Sequence, residues 1–196
     1  MKKYEFTGET KEFNGTTLHR IRALKDFGYV AAGDLGGWIE KEENLSHDGG
    51  CWVSGNARVC GNARVSGNAR VCSNARVYGN ARVYDNALVY GDARVYDNAR
   101  VYDNALVYGD AKVAGDAEIK APKDTFWISA IGSRYGTTTF FRCADGKVRV
   151  ACGCFYGDLD KFLAKVEKTH GDNKHGKAYK KAIELARIQM EEDVNV

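Results

Sequence analysis

No stretch of this sequence approaches the run of about eighteen apolar residues that a membrane span needs, and its start, Met-Lys-Lys-Tyr-Glu-Phe, lacks the apolar core of a signal peptide. These absences argue against a membrane partner and lead to the expectation of a cytosolic protein. Net charge is nearly absent as well. A formal value of +3 in 196 residues is too small to indicate a nucleic-acid partner, because sequence-independent binding to phosphates needs a concentrated field. By segment, residues 1–50 hold seven Lys/Arg against nine Asp/Glu, residues 51–118 eight against seven, and residues 119–196 fourteen against ten. Only the last segment leans basic. Metal-ligand spacing is also missing. The six cysteines read as free thiols in a reducing compartment, and Cys152 and Cys154 are one residue apart, not the two of a common zinc half-site. We therefore expect no metal and no cofactor.

What the sequence does have is a six-residue unit, Gly-Asn-Ala-Arg-Val-Tyr with small variations, running from Cys51 to Ile119 without an insertion. Aligned on the aliphatic position, Val53, Val59, Val65, Val71, Val77, Val83, Val89, Val95, Val101, Val107, Val113 and Ile119 share one register. Two residues before each stands Cys51 or an alanine from Ala57 to Ala117, and residues two apart on a strand face the same side. Valine and alanine therefore point inward together. Pairs such as Gly55-Asn56, Asp85-Asn86 and Gly91-Asp92 tolerate positive φ and turn a corner. A short strand and a corner every six residues is the pattern of a parallel β-helix. The unit resembles that of the hexapeptide-repeat proteins, which implies three-sided coils of eighteen residues, a left-handed winding and, usually, a homotrimer.

The residue pattern, with the coil length and handedness that the resemblance implies, gives the predicted fold class: mainly β, a left-handed parallel β-helix of about four coils over 51–120, an N-terminal β cap over 1–50 and a C-terminal α+β module, βββαα, over 121–196. The cap is physically required, because an open coil end exposes unpaired strand edges. Within it Phe13-Asn14-Gly15-Thr16 signals a hairpin, and Ile39 and Leu45 are already six apart, as if an irregular first coil begins there. A ligand site at Asp34 to Trp38 is a sharper alternative there. The only proline, Pro122, marks where the repeat ends. Strands are expected at Phe126–Ile131, Thr137–Cys143 and Lys147–Cys152, then a helix capped by Asp158 and ended by Gly171, and a second helix to Met190.

With eighteen residues per coil the outward positions sort into three faces. The first carries Arg58, Arg76, Arg94 and Lys112. The second carries Arg64, Arg82, Arg100 and Glu118. The third carries Trp52, Arg70, Leu88 and Leu106, with Tyr90 and Tyr108 beside them. Trp52, Leu88, Tyr90, Leu106 and Tyr108 form an apolar stripe that calls for a cover, either another subunit of a homo-oligomer, a trimer being favoured, or the chain's own C-terminal helix.

Hexapeptide-repeat proteins are best known as acyltransferases with a histidine base between subunits. This array has no histidine and none of the insertion loops that shape such clefts. An acyltransferase using coenzyme A thioesters would have to rely on His47 or His170 at a subunit boundary. Two other stretches are richer in polar chemistry. Gly132 to Arg142 contains Ser133, Arg134, Tyr135, Thr137, Thr138, Thr139 and Arg142, groups that hold phosphates and stack on a base. Thr169 to His175 contains His170, Lys174 and His175 near a helix N-terminus, a setting that favours anions. These stretches, with Asp34-Leu-Gly-Gly-Trp-Ile-Glu, resemble phage- or prophage-encoded proteins with hexapeptide arrays of varying length. The resemblance implies a viral origin and a place in the host cytosol. The reading that combines these features is a non-catalytic oligomeric protein that sequesters a small anionic, nucleotide-derived signal as counter-defence. The alternatives are the acyltransferase and a structural phage protein without a ligand.

Overall fold

The computed structural model describes residues 2–190. Met1 and residues 191–196, the outermost parts of the first and last predicted segments, lie outside the described residues. The array folds into twelve two-residue strands, from β4 (Trp52–Val53) to β15 (Glu118–Ile119). They stack in parallel into three flat sheets, and each strand pairs with the one eighteen residues on, as in Arg58↔Arg76↔Arg94↔Lys112. Backbone bonds such as Arg58 N–H to the Ala75 carbonyl (2.9 Å) and Cys60 N–H to that of Val77 (3.0 Å) repeat up the stack. Alanines 57 to 117 and the twelve aliphatics are all buried, so the predicted register holds. The tyrosines point outward and stack on one another at 5.0 Å (Tyr78 on Tyr96), 4.8 Å (Tyr84 on Tyr102) and 5.1 Å (Tyr90 on Tyr108). Each corner opens with a positive φ, on glycine or on Ser73, Asp85, Asp97 or Asp103, the short polar residues that tolerate it best. Asparagine amides extend the ladder along one edge: Asn62 donates to Asn80 (3.2 Å), Asn80 to Asn98 (3.1 Å), and Asn98 to Asp116 (3.2 Å).

The coil count differs from the expected four. Strand β3 (Leu35–Ile39) pairs in parallel with β5 (Arg58–Val59), and Leu45 bridges Val65. The irregular segment before Cys51 thus supplies a first coil, and the solenoid has about five. The six-residue step from Ile39 to Leu45 suggests such a coil, but two glycines that replace side chains keep it out of the repeat pattern. A Cβ on Gly36 would lie 2.5 Å from Ile21 Cγ1 and 2.6 Å from the Trp52 ring, so only glycine lets β3 approach. Strands β1 (Tyr4–Phe13) and β2 (Thr16–Ala23) form the predicted hairpin, turning at Asn14 and Gly15 with positive φ, and add to the same sheet in the order β1-β2-β3-β5. Tyr4, Ile21 and Leu45 plug this end, while the buried Lys3 ammonium donates to the carbonyls of Cys51 (2.9 Å) and Gly49 (3.3 Å).

The other end is closed by an antiparallel sheet of four strands rather than three: β16 (Thr125–Ile131), β17 (Gly136–Arg142), β18 (Val148–Cys152) and β19 (Phe155–Asp158). The fourth strand is only four residues long and includes a glycine, which concealed it. Two helices follow, α1 (Leu159–His170) and α2 (Lys174–Met190). Alternation along β17 assigns the two faces of the sheet: Phe141 joins the solenoid core, whereas Phe140 joins Phe162, Val166, Ile183 and Ala186 under the helices. No described helix is long and apolar enough to cross a membrane.

Candidate anion-binding cleft

Between the β16–β17 turn and α1 the chain leaves a cavity of about 300 Å³, at the small end of the range for ligand sites. Its wall at one side is the turn after β16, with Ser133, Arg134, Gly136 and Thr137. At the other is α1, with Lys165, Thr169 and His170, and the β18–β19 turn closes the space with Cys152 and Cys154. Phe155, Phe162 and Tyr179 form an aromatic floor, and Lys112 of the last coil reaches in from the solenoid. Helix α1 takes its position from Asp158, whose carboxylate accepts from the Lys161 amide (2.8 Å), and it ends at Gly171.

The cleft has three cations, Lys112, Arg134 and Lys165, and no carboxylate among its lining residues. None of the three makes an ion pair within 4.0 Å among the described residues. Below them a polar chain crosses the sheet: the Thr138 hydroxyl donates to Cys152 Sγ (3.1 Å), which in turn faces the Tyr179 hydroxyl at 3.7 Å. Burial, then the bond with Cys152, pushes the Tyr179 phenol up to about 12, so it stays neutral at physiological pH. The His170 ring lies 5.7 Å from that of Tyr179 and 5.9 Å from that of His175. All six cysteines are free, and among the described residues no group of three or more His, Cys, Asp or Glu side chains is placed to hold a metal ion.

The structure brings together Ser133, Arg134, Thr137 and His170 of the sequence-predicted residues. Tyr135, in the same turn, does not line the cavity and is 73% exposed. Thr138 lies beneath the floor, and Thr139 faces the solenoid, where its hydroxyl accepts from the Lys112 amide (3.0 Å). Arg142 points away, toward the buried Asp124 (3.3 Å), the Gly146 carbonyl (3.1 Å) and the Met190 carbonyl. Lys174 is exposed and His175 half-buried. The α2 N-terminus is already capped by Asn173, whose side chain accepts from the amides of His175 (2.9 Å) and Gly176 (3.0 Å). Sequence reasoning did not single out Lys112 and Lys165, and had no local signal for either: one substitutes for a repeat arginine, the other is an ordinary helix-surface lysine.

The chain itself covers part of the third face. Trp52 is buried against Phe27 (5.4 Å, edge-on) and Tyr4 (6.3 Å). At the other end Trp127 of β16 packs edge-on against Tyr108 at 4.3 Å. Leu88, Tyr90 and Leu106 remain half-buried and Tyr108 is 39% exposed.

With this geometry in view, the comparisons with known proteins concern the array. The family model described as "YdcK Beta solenoid repeat" matches residues 57–73, 75–91, 81–97, 93–109 and 99–115. Over 61 residues the chain is 39% identical to the protein named "Uncharacterized acetyltransferase YdcK" of Escherichia coli (strain K12), a match covering 27% of this chain and 19% of that protein. The chain thus spans about a fifth of the length of the curated relative it matches. The family matches stop short of the C-terminal sheet and helices that build most of the cleft, so what the chain is shown to share is a β-solenoid of hexapeptide type.

Proposed function

We propose that this chain is a non-catalytic, oligomeric binding protein that holds a small anionic, nucleotide-like ligand in the cleft between the β16–β17 turn and α1. The observation that carries the reading is the set of three cations, Lys112, Arg134 and Lys165, around a space with no lining carboxylate. Uncompensated like charges beside a partly apolar floor gain most from a bound anion. Arg134 can grip a phosphate through two parallel N–H donors, with Ser133 and Thr137 hydroxyls completing its shell. The aromatic floor and Tyr135 offer surfaces for a base. The resemblance of the flanking stretches to phage-encoded chains supports a counter-defence role, sequestering a nucleotide signal of the host. The exposed remainder of the third face supports a homo-oligomer, a trimer first.

Titration calorimetry with a panel of cyclic and linear nucleotides tests this. Arg134→Ala should weaken binding by roughly ten- to 150-fold, the loss of a charge-assisted bond of about 1.5–3 kcal/mol. The released ligand should be chemically unchanged after denaturation. A second reading, acyl transfer, draws on the name of the Escherichia coli relative and on His170 lying in the same cleft as two thiols. It requires tight binding of acetyl-coenzyme A and release of its thiol. If acetyl-coenzyme A binds and no nucleotide does, sequestration is abandoned.

A further inference from the structure

We infer that the chain has a second anion site, separate from the C-terminal cleft, that takes the diphosphate group of a small ligand beneath the tip of the β1–β2 hairpin. The site is a cavity of about 360 Å³ between Phe13, Asn14 and Thr16 of the hairpin and Cys60, Arg76, Tyr78 and Arg94 of the first solenoid face. Its cations are not neutralised. Arg58, Arg76 and Arg94 stand one above another in register, and none has a carboxylate within 4.0 Å among the described residues. The corners flanking Arg58 and Arg76 carry Asn56, Asn62, Asn74 and Asn80, whereas those flanking Arg94 carry Asp92 and Asp97. Glu40 also lines the cavity; its carboxylate accepts from the Gly61 amide and makes no ion pair with Arg76 or Arg94. Asp92 acts on Arg76 more weakly than burial and the neighbouring arginines do.

Two further observations concern the strands beside the cavity. On three adjacent strands the in-register residues Arg20, Trp38 and Arg58 each keep a buried N–H without a partner: Arg20 Nε, Trp38 Nε1 and Arg58 Nε. Trp38 itself is only 8% exposed. These side chains share a sheet with Arg76 but do not line the cavity, so they mark a surface short of acceptors beside it. The aromatic rings, meanwhile, hold the cations in place. Phe13 sits between the Arg58 and Arg76 guanidiniums at 4.5 and 5.3 Å, and the Lys11 ammonium lies 3.9 Å over Trp38. Burial first, then Arg94 and Arg58, lowers the basicity of Arg76, and burial first, then Arg58 and Arg20, brings Lys11 down to about 8.

The geometry selects the ligand class. Arg76 and Arg94 are one coil apart, about 4.8 Å, so two linked phosphoryl groups can each meet one planar guanidinium fork.

Calorimetry with pyrophosphate, orthophosphate and ADP tests the inference on the whole chain. Pyrophosphate should bind at least tenfold tighter than orthophosphate. Arg76→Gln and Arg94→Gln should each weaken it tenfold or more, while Arg100→Gln, an equal charge loss on the second face, should change it less than twofold. Folding is not at risk, since the same repeat position is leucine at 88 and 106 and glutamate at 118. ADP binding tighter than pyrophosphate would identify a nucleoside as the rest of the ligand, and equal binding would identify free pyrophosphate. If the C-terminal cleft also takes pyrophosphate, the parent binds two per chain, and Arg134→Ala removes one while the Arg76→Gln/Arg94→Gln pair removes the other. Orthophosphate binding as tightly as pyrophosphate, loss of binding by Arg100→Gln, or a full stoichiometry in the double variant would each overturn the inference.

Discussion

Replacing Arg142 with alanine separates stability from ligand binding in a way that tests the whole C-terminal arrangement. The Arg142 guanidinium ties three distant segments together: Asp124 after the last coil, the carbonyl of Gly146 in the β17–β18 turn, and the carbonyl of Met190 at the end of α2. The Asp124 side chain is 7% exposed, and the arginine 23%. Removing one partner of such a pair costs about 3–5 kcal/mol when the remaining charge is left bare. Here the Asp124 carboxylate keeps two backbone donors, Lys120 N–H (3.0 Å) and Ala121 N–H (2.9 Å). We therefore expect a smaller loss, about 2–3 kcal/mol, or a Tm lowered by roughly 4–12 °C for a chain of this size. Urea denaturation followed by circular dichroism measures it, and a double cycle with Asp124→Asn isolates the pair. The cleft loses no lining group, so nucleotide affinity should stay within a factor of two at temperatures where the variant is folded. Unchanged stability with abolished binding would refute the placement of Arg142.

Two other outcomes can be stated from the structure. Lys11 is held near 8 in the folded chain against its ordinary 10.5, so between those values the unfolded chain binds more protons and stability rises with pH. Below pH 8 both states are protonated and the folded chain bears the full burial penalty. Lys11→Met should therefore be more stable than the parent at pH 7, with the gap narrowing toward pH 10, and a gap independent of pH would sink this reasoning. The proposed oligomer predicts that Leu88→Arg with Leu106→Arg, which restores the repeat residue at both positions, lowers the mass seen by light scattering. A monomeric parent, or a variant of unchanged mass, would remove the proposed interface.

The hexad made the solenoid legible because every inward residue has the same small set of neighbours one coil above and below, so a period in the sequence maps directly onto contacts. Where that mapping fails, the sequence is opaque. The step from Ile39 to Leu45 hints at an irregular first coil, but strand β3 enters it through Gly36 and Gly37, which carry no side-chain pattern, and β19 is too short to show alternation. The cleft was half visible. Ser133, Arg134 and Thr137 announce themselves within one turn, and His170 within another, but Lys112 and Lys165 join them only through tertiary packing. Arg142 looked like an anion ligand because its partner, Asp124, lies eighteen residues back across a different element.

Both ends of the solenoid are closed by sheets built from non-repeating sequence, and this frees the middle to act as a graduated spacer. Inserting one full coil of eighteen residues would move the hairpin cavity and the C-terminal cleft apart by about 4.8 Å without touching the contacts at either end. Inserting a single hexad would instead swing one terminal unit by a third of a turn, onto another side of the prism. Distance and bearing between the two clefts are thus set by a count of identical units, in separate steps, while the chemistry of each cleft is written elsewhere in the chain. Closed ends also mean that a longer or shorter array exposes no new parallel edge on which copies could stack into fibres.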